Sequence, residues 1–214
     1  MKKLIYTIVT VIGLFFIADA MASSNLMING HYLKYNRNMR IVHLGDSHVA
    51  GKFFPNAVKK NLKAKSYNVV AKNGVTIDYF MKPSVHAKVK SYHPDMIILS
   101  VGTNESMGKV NLRNYVSKLN SFMVKYGDVT NNVLITTPAG NYKNGKLNIN
   151  VNTVVVAQAW FGALHDYAVW NLYDFRGPAW WKRHGMMDKK GVHFTAKAYT
   201  IQGRKLAEDI KTIY

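Results

Sequence analysis

Met39-Arg40-Ile41-Val42-His43-Leu44-Gly45-Asp46-Ser47-His48 is the stretch that decides the fold. Its first six residues make a short, largely apolar run that stops at Gly45-Asp46. A parallel strand buried on both faces, with its carboxyl end turning into a loop, has this pattern. The pattern returns further along. Met96-Ile97-Ile98-Leu99-Ser100-Val101 runs into Gly102-Thr103-Asn104-Glu105, and Asn132-Val133-Leu134-Ile135-Thr136-Thr137 ends at Pro138. Residues 67–71 read as another strand, followed by the turn signal Asn73-Gly74. Apolar spacing predicts helices over 55–65, over 77–91 on both sides of Pro83, and over 112–126. A further helix over 151–165, a strand over 168–172 and a closing helix over 196–211 complete the series. Alternating strands and helices predict an α/β fold, a three-layer sandwich with a central parallel sheet of about five strands flanked by helices. In such sheets the site lies outside the carboxyl ends of the strands. Gly45-Asp46-Ser47, Asn73-Gly74 and Gly102-Thr103-Asn104 all fall there.

Upstream, Met1-Lys2-Lys3, an apolar run over 4–17 and small residues through Ala18-Asp19-Ala20-Met21-Ala22 have the form of a signal peptide with Ala-x-Ala sites. An uncleaved anchor through 4–17 is the alternative reading. Either places the domain outside the cytoplasm, in the periplasm or on the cell envelope. Residues 23–38 read as a lead-in segment and 39–214 as a single domain, a length able to bury one core. The chain has no cysteine, so its stability comes from that core and thiol chemistry is excluded. The formal net charge is +18, or +17 without residues 1–22. Such a charge attracts anionic envelope polymers, with nucleic acid as a non-specific competitor. The lysines are scattered, which also suits a solvated surface.

A serine hydroxyl needs a base to take its proton, a group to orient that base, and donors for the oxyanion. Ser47 follows the first strand, where a glycine turn can lift its side chain into the cleft. Gly74 can offer a backbone N–H, Asn104 its side-chain amide, and His193, in Gly191-Val192-His193-Phe194-Thr195, precedes the closing helix. Turn and cap roles remain open for Ser47, Gly74 and Asn104 on the residues alone.

These four blocks, Gly45-Asp46-Ser47-His48, Asn73-Gly74, Gly102-Thr103-Asn104-Glu105 and Gly191-Val192-His193-Phe194-Thr195, resemble those of the SGNH or GDSL-type hydrolases. The resemblance runs from about Met39 onward. It implies a flavodoxin-like SGNH fold, Ser47 as nucleophile, an oxyanion hole of the Ser47 and Gly74 amides with Asn104, and His193 as base. Together with Ala168-Val169-Trp170-Asn171-Leu172-Tyr173, the blocks look most like the branch acting on O-acetyl groups of bacterial cell-wall glycans, peptidoglycan above all. That branch implies an esterase or, by the same first half-reaction, an acyltransferase. A weakened hydrolase that binds glycan is the other class. The sequence departs from the family at three places. Lys190 stands where the acid is usual, three residues before the histidine, and the nearest acid is Asp188, five before. Asn171 stands where aspartate is common, and Arg176-Gly177 replaces a double glycine. Asp188 can complete a triad, His193 can act with Ser47 alone, or turnover can be largely lost.

His48 reads as lining the cleft beside Ser47 or as a cap. Trp180-Trp181, beside Lys182-Arg183-His184, reads as a sugar-stacking wall or as a plug over the core. His165-Asp166 has no third ligand at helical spacing, so no metal is expected, nor any organic cofactor.

Overall fold

A computed structural model describes residues 25–28 and 30–213; the leader or anchor expected over 1–22 lies outside them. The elements are β1 Leu26–Ile28, β2 Arg40–Gly45, α1 Ser47–Ala50, α2 Phe53–Leu62, β3 Ser66–Ala71, α3 Pro83–Ser91, β4 Met96–Ser100, α4 Thr103–Ser106, α5 Leu112–Tyr126 and β5 Val133–Thr136. They continue with β6 Tyr142–Lys143, β7 Lys146–Leu147, α6 Asn150–His165, β8 Ala168–Trp170, α7 Pro178–Arg183 and α8 Ala196–Ile210.

Among the described residues the main sheet has six strands in the order β1-β8-β5-β4-β2-β3. Five run parallel, and β1 adds an antiparallel edge on β8. Successive strand residues point to opposite faces, and the two cores follow that alternation. Ile41, Met96, Ile98, Leu134 and Trp170 pack under α2 and α8. Val42, Leu44, Ile97, Leu99, Val133, Ile135 and Val169 pack under α3, α5 and α6. Helices on both faces explain why these strands read as unbroken apolar runs.

α2 and α8 lie unusually close. A Cβ added at Gly203 of α8 would run into the Phe54 carbonyl of α2, so glycine lets the backbones meet. The helix expected over 77–91 is divided. Ile77–Tyr79 is a single 3-10 turn, and Pro83 sits at the first turn of α3, where its missing N–H costs nothing. β1, the β6–β7 hairpin and α7 were not expected from the sequence pattern.

On the α2/α8 face four neighbouring strands carry a buried polar chain. Tyr67 Oη lies 2.6 Å from His43 Nδ1, His43 Nε2 lies 2.7 Å from Ser100 Oγ, and Thr136 Oγ1 donates to Ser100 Oγ at 2.7 Å. Burial holds the His43 imidazole neutral, its pKa lowered to about 3. His43 is thus a hydrogen-bonded core residue at the end of the sheet that carries the site.

Candidate active site

β2 delivers Ser47. The strand ends at Gly45, Asp46 caps α1 by accepting the His48 N–H at 3.0 Å, and Ser47 opens the short helix half-buried. Asp46 is 1% exposed. Burial lifts its carboxyl to about 6, opposed by the His48 amide, Thr103 and the nearby His193.

β3 and β4 deliver the candidate oxyanion donors. Asn104 Nδ2 donates to the Val75 carbonyl at 2.8 Å, and Glu105 Oε1 accepts the Ile77 N–H at 2.8 Å. These two bonds clamp the loop after β3 to the loop after β4, which brings Gly74 and the Asn104 amide to one edge of the sheet. Nothing lies within 4 Å of the space above Gly74 where a Cβ would stand. The clamp role of Glu105 was not read from the sequence, although its place directly after Asn104 was a usable signal. Burial raises the Glu105 carboxyl to about 7.

His193, the candidate base, arrives on a hairpin. Met187 and Phe194 pair as an antiparallel bridge, Asp188 N donates to His193 O at 2.8 Å, and Thr195 N donates to Met186 O at 3.1 Å. In that register residue 188 stands directly opposite residue 193, and opposed side chains share a face. Gly191 closes the turn at φ +71°, with Tyr142 packed where a Cβ would be. The five-residue spacing therefore suits this hairpin.

Ser47 Oγ lies 3.0 Å from His193 Nε2, and Asp188 Oδ2 lies 3.4 Å from His193 Nδ1. The Asp188 Oδ1 atom accepts the Val192 N–H at 3.0 Å. Burial works against the Asp188 charge, yet the Val192, His193 and Gly191 amides and the His193 ring together hold its carboxyl below the usual range. Lys190 is exposed on the turn. Ser47, His193 and Asp188 thus form one hydrogen-bonded line, with the imidazole between hydroxyl and carboxylate.

The residues expected against substrate stand differently. His48 is 7% exposed, and its ring packs against His193, Phe194 and Tyr199. Burial, with the His193 charge, lowers its pKa to about 3. Trp181 is 1% exposed, packs on Phe175 and Phe194, and donates its indole N–H to Phe175 O. Its burial corrects the sugar-wall reading in favour of the plug. Trp180 is half-buried, and its ring carries the Arg176 guanidinium at 4.5 Å and the His184 imidazole at 4.0 Å. Cation and imidazole occupy the ring, where the wall reading expected a sugar.

Comparison with known proteins bears on the family and the fold. The family model of GDSL-like lipase/acylhydrolases matches residues 41–206. No curated protein matches the sequence. A solved peptidoglycan O-acetylesterase superposes with a TM-score of 0.70 at 14% identity, covering 82% of this chain and 91% of that one. A lipase/acylhydrolase from Enterococcus faecalis gives 0.65 at 19% identity, with 81% and 96% covered. An acetyl xylan esterase gives 0.64 at 15% identity, with 79% and 98% covered. These likenesses establish the shared fold. With the family model spanning the domain from β2 into the last helix, the chain belongs to the GDSL-like lipase/acylhydrolase family of ester hydrolases.

Proposed function

We propose that the protein is an exported serine esterase that removes O-acetyl groups from an envelope polysaccharide, peptidoglycan foremost, through an acetyl-Ser47 intermediate. The observation that carries this reading is the 3.0 Å approach of Ser47 Oγ to His193 Nε2, with Asp188 on the other ring nitrogen. In the first half-reaction Ser47 Oγ bonds to the acetyl carbonyl carbon while His193 Nε2 takes the hydroxyl proton. The Ser47 and Gly74 amides and the Asn104 side chain receive the oxyanion. Collapse breaks the bond to the sugar oxygen, which leaves with the proton from His193. Water then attacks the acetyl-Ser47 ester, with His193 again as base, and frees acetate. Asp188 keeps Nδ1 protonated and Nε2 free to accept.

The substrate class rests on the four sequence blocks, on the positive charge of +17 without residues 1–22, and on a fold shared with esterases of acetylated glycans. Cationic surface favours encounter with anionic wall polymers. The test is release of acetate from O-acetylated peptidoglycan and of nitrophenolate from 4-nitrophenyl acetate by the chain from residue 23 onward. Both are expected, and Ser47→Ala should lower them by about 10⁴-fold or more with unchanged folding. A folded wild-type protein that cleaves neither ester overturns the reading. Acetylated sugar exceeding free acetate when a glycan acceptor is added would reassign the same site to acyl transfer.

A further inference from the structure

The carboxyl ends of β2, β4 and β5 enclose a cavity of about 20 Å³ next to the Ser47 turn. Three of its lining side chains are Asp46, His48 and Gln202, which are 1%, 7% and 1% exposed. In the same three side chains Asp46 Oδ2, His48 Nε2, and both Oε1 and Nε2 of Gln202 are buried without a hydrogen-bond partner. Buried polar atoms are almost always hydrogen-bonded, so four orphans from three side chains at one cavity indicate an occupant. A water molecule needs roughly 10–15 Å³ by this measure and two to four polar partners. The cavity has the room, and three of the side chains that line it carry such unpartnered atoms.

The donor set also selects the occupant. The carboxylate and the amide oxygen accept, the amide NH₂ donates, and a neutral imidazole nitrogen does either. A water molecule satisfies such a mixture; a cation would face the Gln202 NH₂ group. Ser100 and Thr136, the inner end of the Tyr67–His43 chain, also line the cavity and give it a polar wall toward the sheet.

Gln202 lies on α8, the helix capped by Thr195 two residues beyond His193. Asp46 and His48 are the residues on either side of Ser47. We propose that an ordered water bridges Gln202 to Asp46 and His48, and that Gln202 is thereby a positioning residue that sets Ser47 against His193. The inference rests on the reading of Ser47 and His193 as the reacting pair, but its structural half stands apart from any ester.

High-resolution crystal structures of wild type, Gln202→Met and Gln202→Asn, with kinetics on 4-nitrophenyl acetate, test it. Wild type should show water within hydrogen-bond distance of Asp46 Oδ2 and the Gln202 amide. Gln202→Met keeps the bulk but removes donor and acceptor. It should lose the water, lengthen the Ser47 Oγ–His193 Nε2 distance and lower kcat roughly tenfold with KM little changed. Gln202→Asn keeps an amide and should retain the water and most of kcat. An empty wild-type cavity overturns the proposal, as does a Gln202→Met protein that loses the water while keeping both kcat and the distance. If wild type cleaves no ester, the esterase reading fails alone, and the Gln202→Met distance still decides this one.

Discussion

The two halves of the site are built in opposite ways. On the nucleophile side, Asp46 is buried, Glu105 ties two loops together, and the neutral His43 anchors a polar chain through four strands. On the base side, the His193 and Asp188 side chains are 46% and 37% exposed, and the hairpin that carries them rests on Phe194 against Trp181. The proposed nucleophile and oxyanion donors are thus fixed from inside the sheet, whereas the proposed base and acid are fixed by a surface turn. Water screens the base side, so the His193–Asp188 hydrogen bond orients more than it stabilises. The nucleophile side lies in low dielectric, where every charge is costly.

The sharpest break of this contrast is at Asp188. Asp188→Ala is expected to lower kcat on 4-nitrophenyl acetate by about 10²- to 10⁴-fold, while the urea-unfolding free energy moves by only about 1 kcal/mol or less, as suits an exposed pair. Asp188→Asn keeps an acceptor for the Val192 N–H but loses the carboxylate. It should be as slow as the alanine variant if the charge sets the imidazole tautomer. An asparagine variant at wild-type rate would mean that turn closure alone positions His193, and wild-type rates in both variants would leave Ser47 and His193 acting as a dyad.

Glu105 probes the buried half through pH. Its carboxyl rises from 4.5 to about 7 in the fold, so the stability it contributes is fully present below 4.5 and lost as pH rises through 7. Asp46 acts in the same direction, rising from 3.8 to about 6. His43 and His48 act oppositely. Their pKa values fall from 6.5 to about 3, so protonation of the unfolded chain costs stability as pH falls below 6.5. Wild type should therefore change little between roughly pH 4.5 and 6.5 and lose stability steeply below about 4. Glu105→Gln should gain roughly 1–3 kcal/mol at pH 8, none at pH 4.5, and begin its acid loss at higher pH than wild type. Urea unfolding across that range measures it; no gain at pH 8 would mean that Glu105 is better solvated than its burial implies.

What could be read from the sequence follows the same division. β2, β4, β5 and β8 announce themselves because a strand covered on both faces must be apolar throughout, and Ser47 and Asn104 follow the ends of two such strands, while Gly74 follows the edge strand β3. β1 was missed because three residues on an edge take their state from pairing with β8, where Leu26 meets Trp170 and Ile28 meets Val169 from the far end of the chain. The β6–β7 hairpin did carry a local signal, Asn144-Gly145, both at positive φ. Asp188 is the instructive case. Counted along the chain it stands two positions from the family's acid, but the Met187–Phe194 bridge makes it the cross-strand neighbour of His193. Register is a property of two strands together, and spacing in one does not contain it. Trp181 could be read as wall or plug because a tryptophan next to a site serves either; only its burial decides.

The smallest effect concerns Arg176, where the sequence departs from a double glycine. Arg176 sits at φ +56°, in the left-handed region that favours glycine, and its guanidinium covers Trp180 at 4.5 Å and Phe175 at 5.7 Å. Here the backbone loses what the side chain gains. Arg176→Ala keeps the unfavourable backbone and removes the cation from the rings, costing about 0.5–1 kcal/mol. Arg176→Gly loses the same contact but relieves about 1–2 kcal/mol of left-handed strain, offset by roughly 0.5–1 kcal/mol from the freer unfolded chain. The glycine variant should therefore exceed the alanine variant by about 0.5–1 kcal/mol in urea unfolding. Equal stabilities would mean that the segment before α7 relaxes out of the left-handed conformation once Arg176 is gone. Neither variant should alter kcat on 4-nitrophenyl acetate, because Arg176 covers Trp180 and Phe175, whereas α7 reaches the His193 hairpin through Trp181 on Phe194 and Lys182 on Tyr142. A KM that rises for O-acetylated glycan alone would move Arg176 from the support of the hairpin to its substrate side, and the exposed half of the site would then select the polymer as well as hold the base.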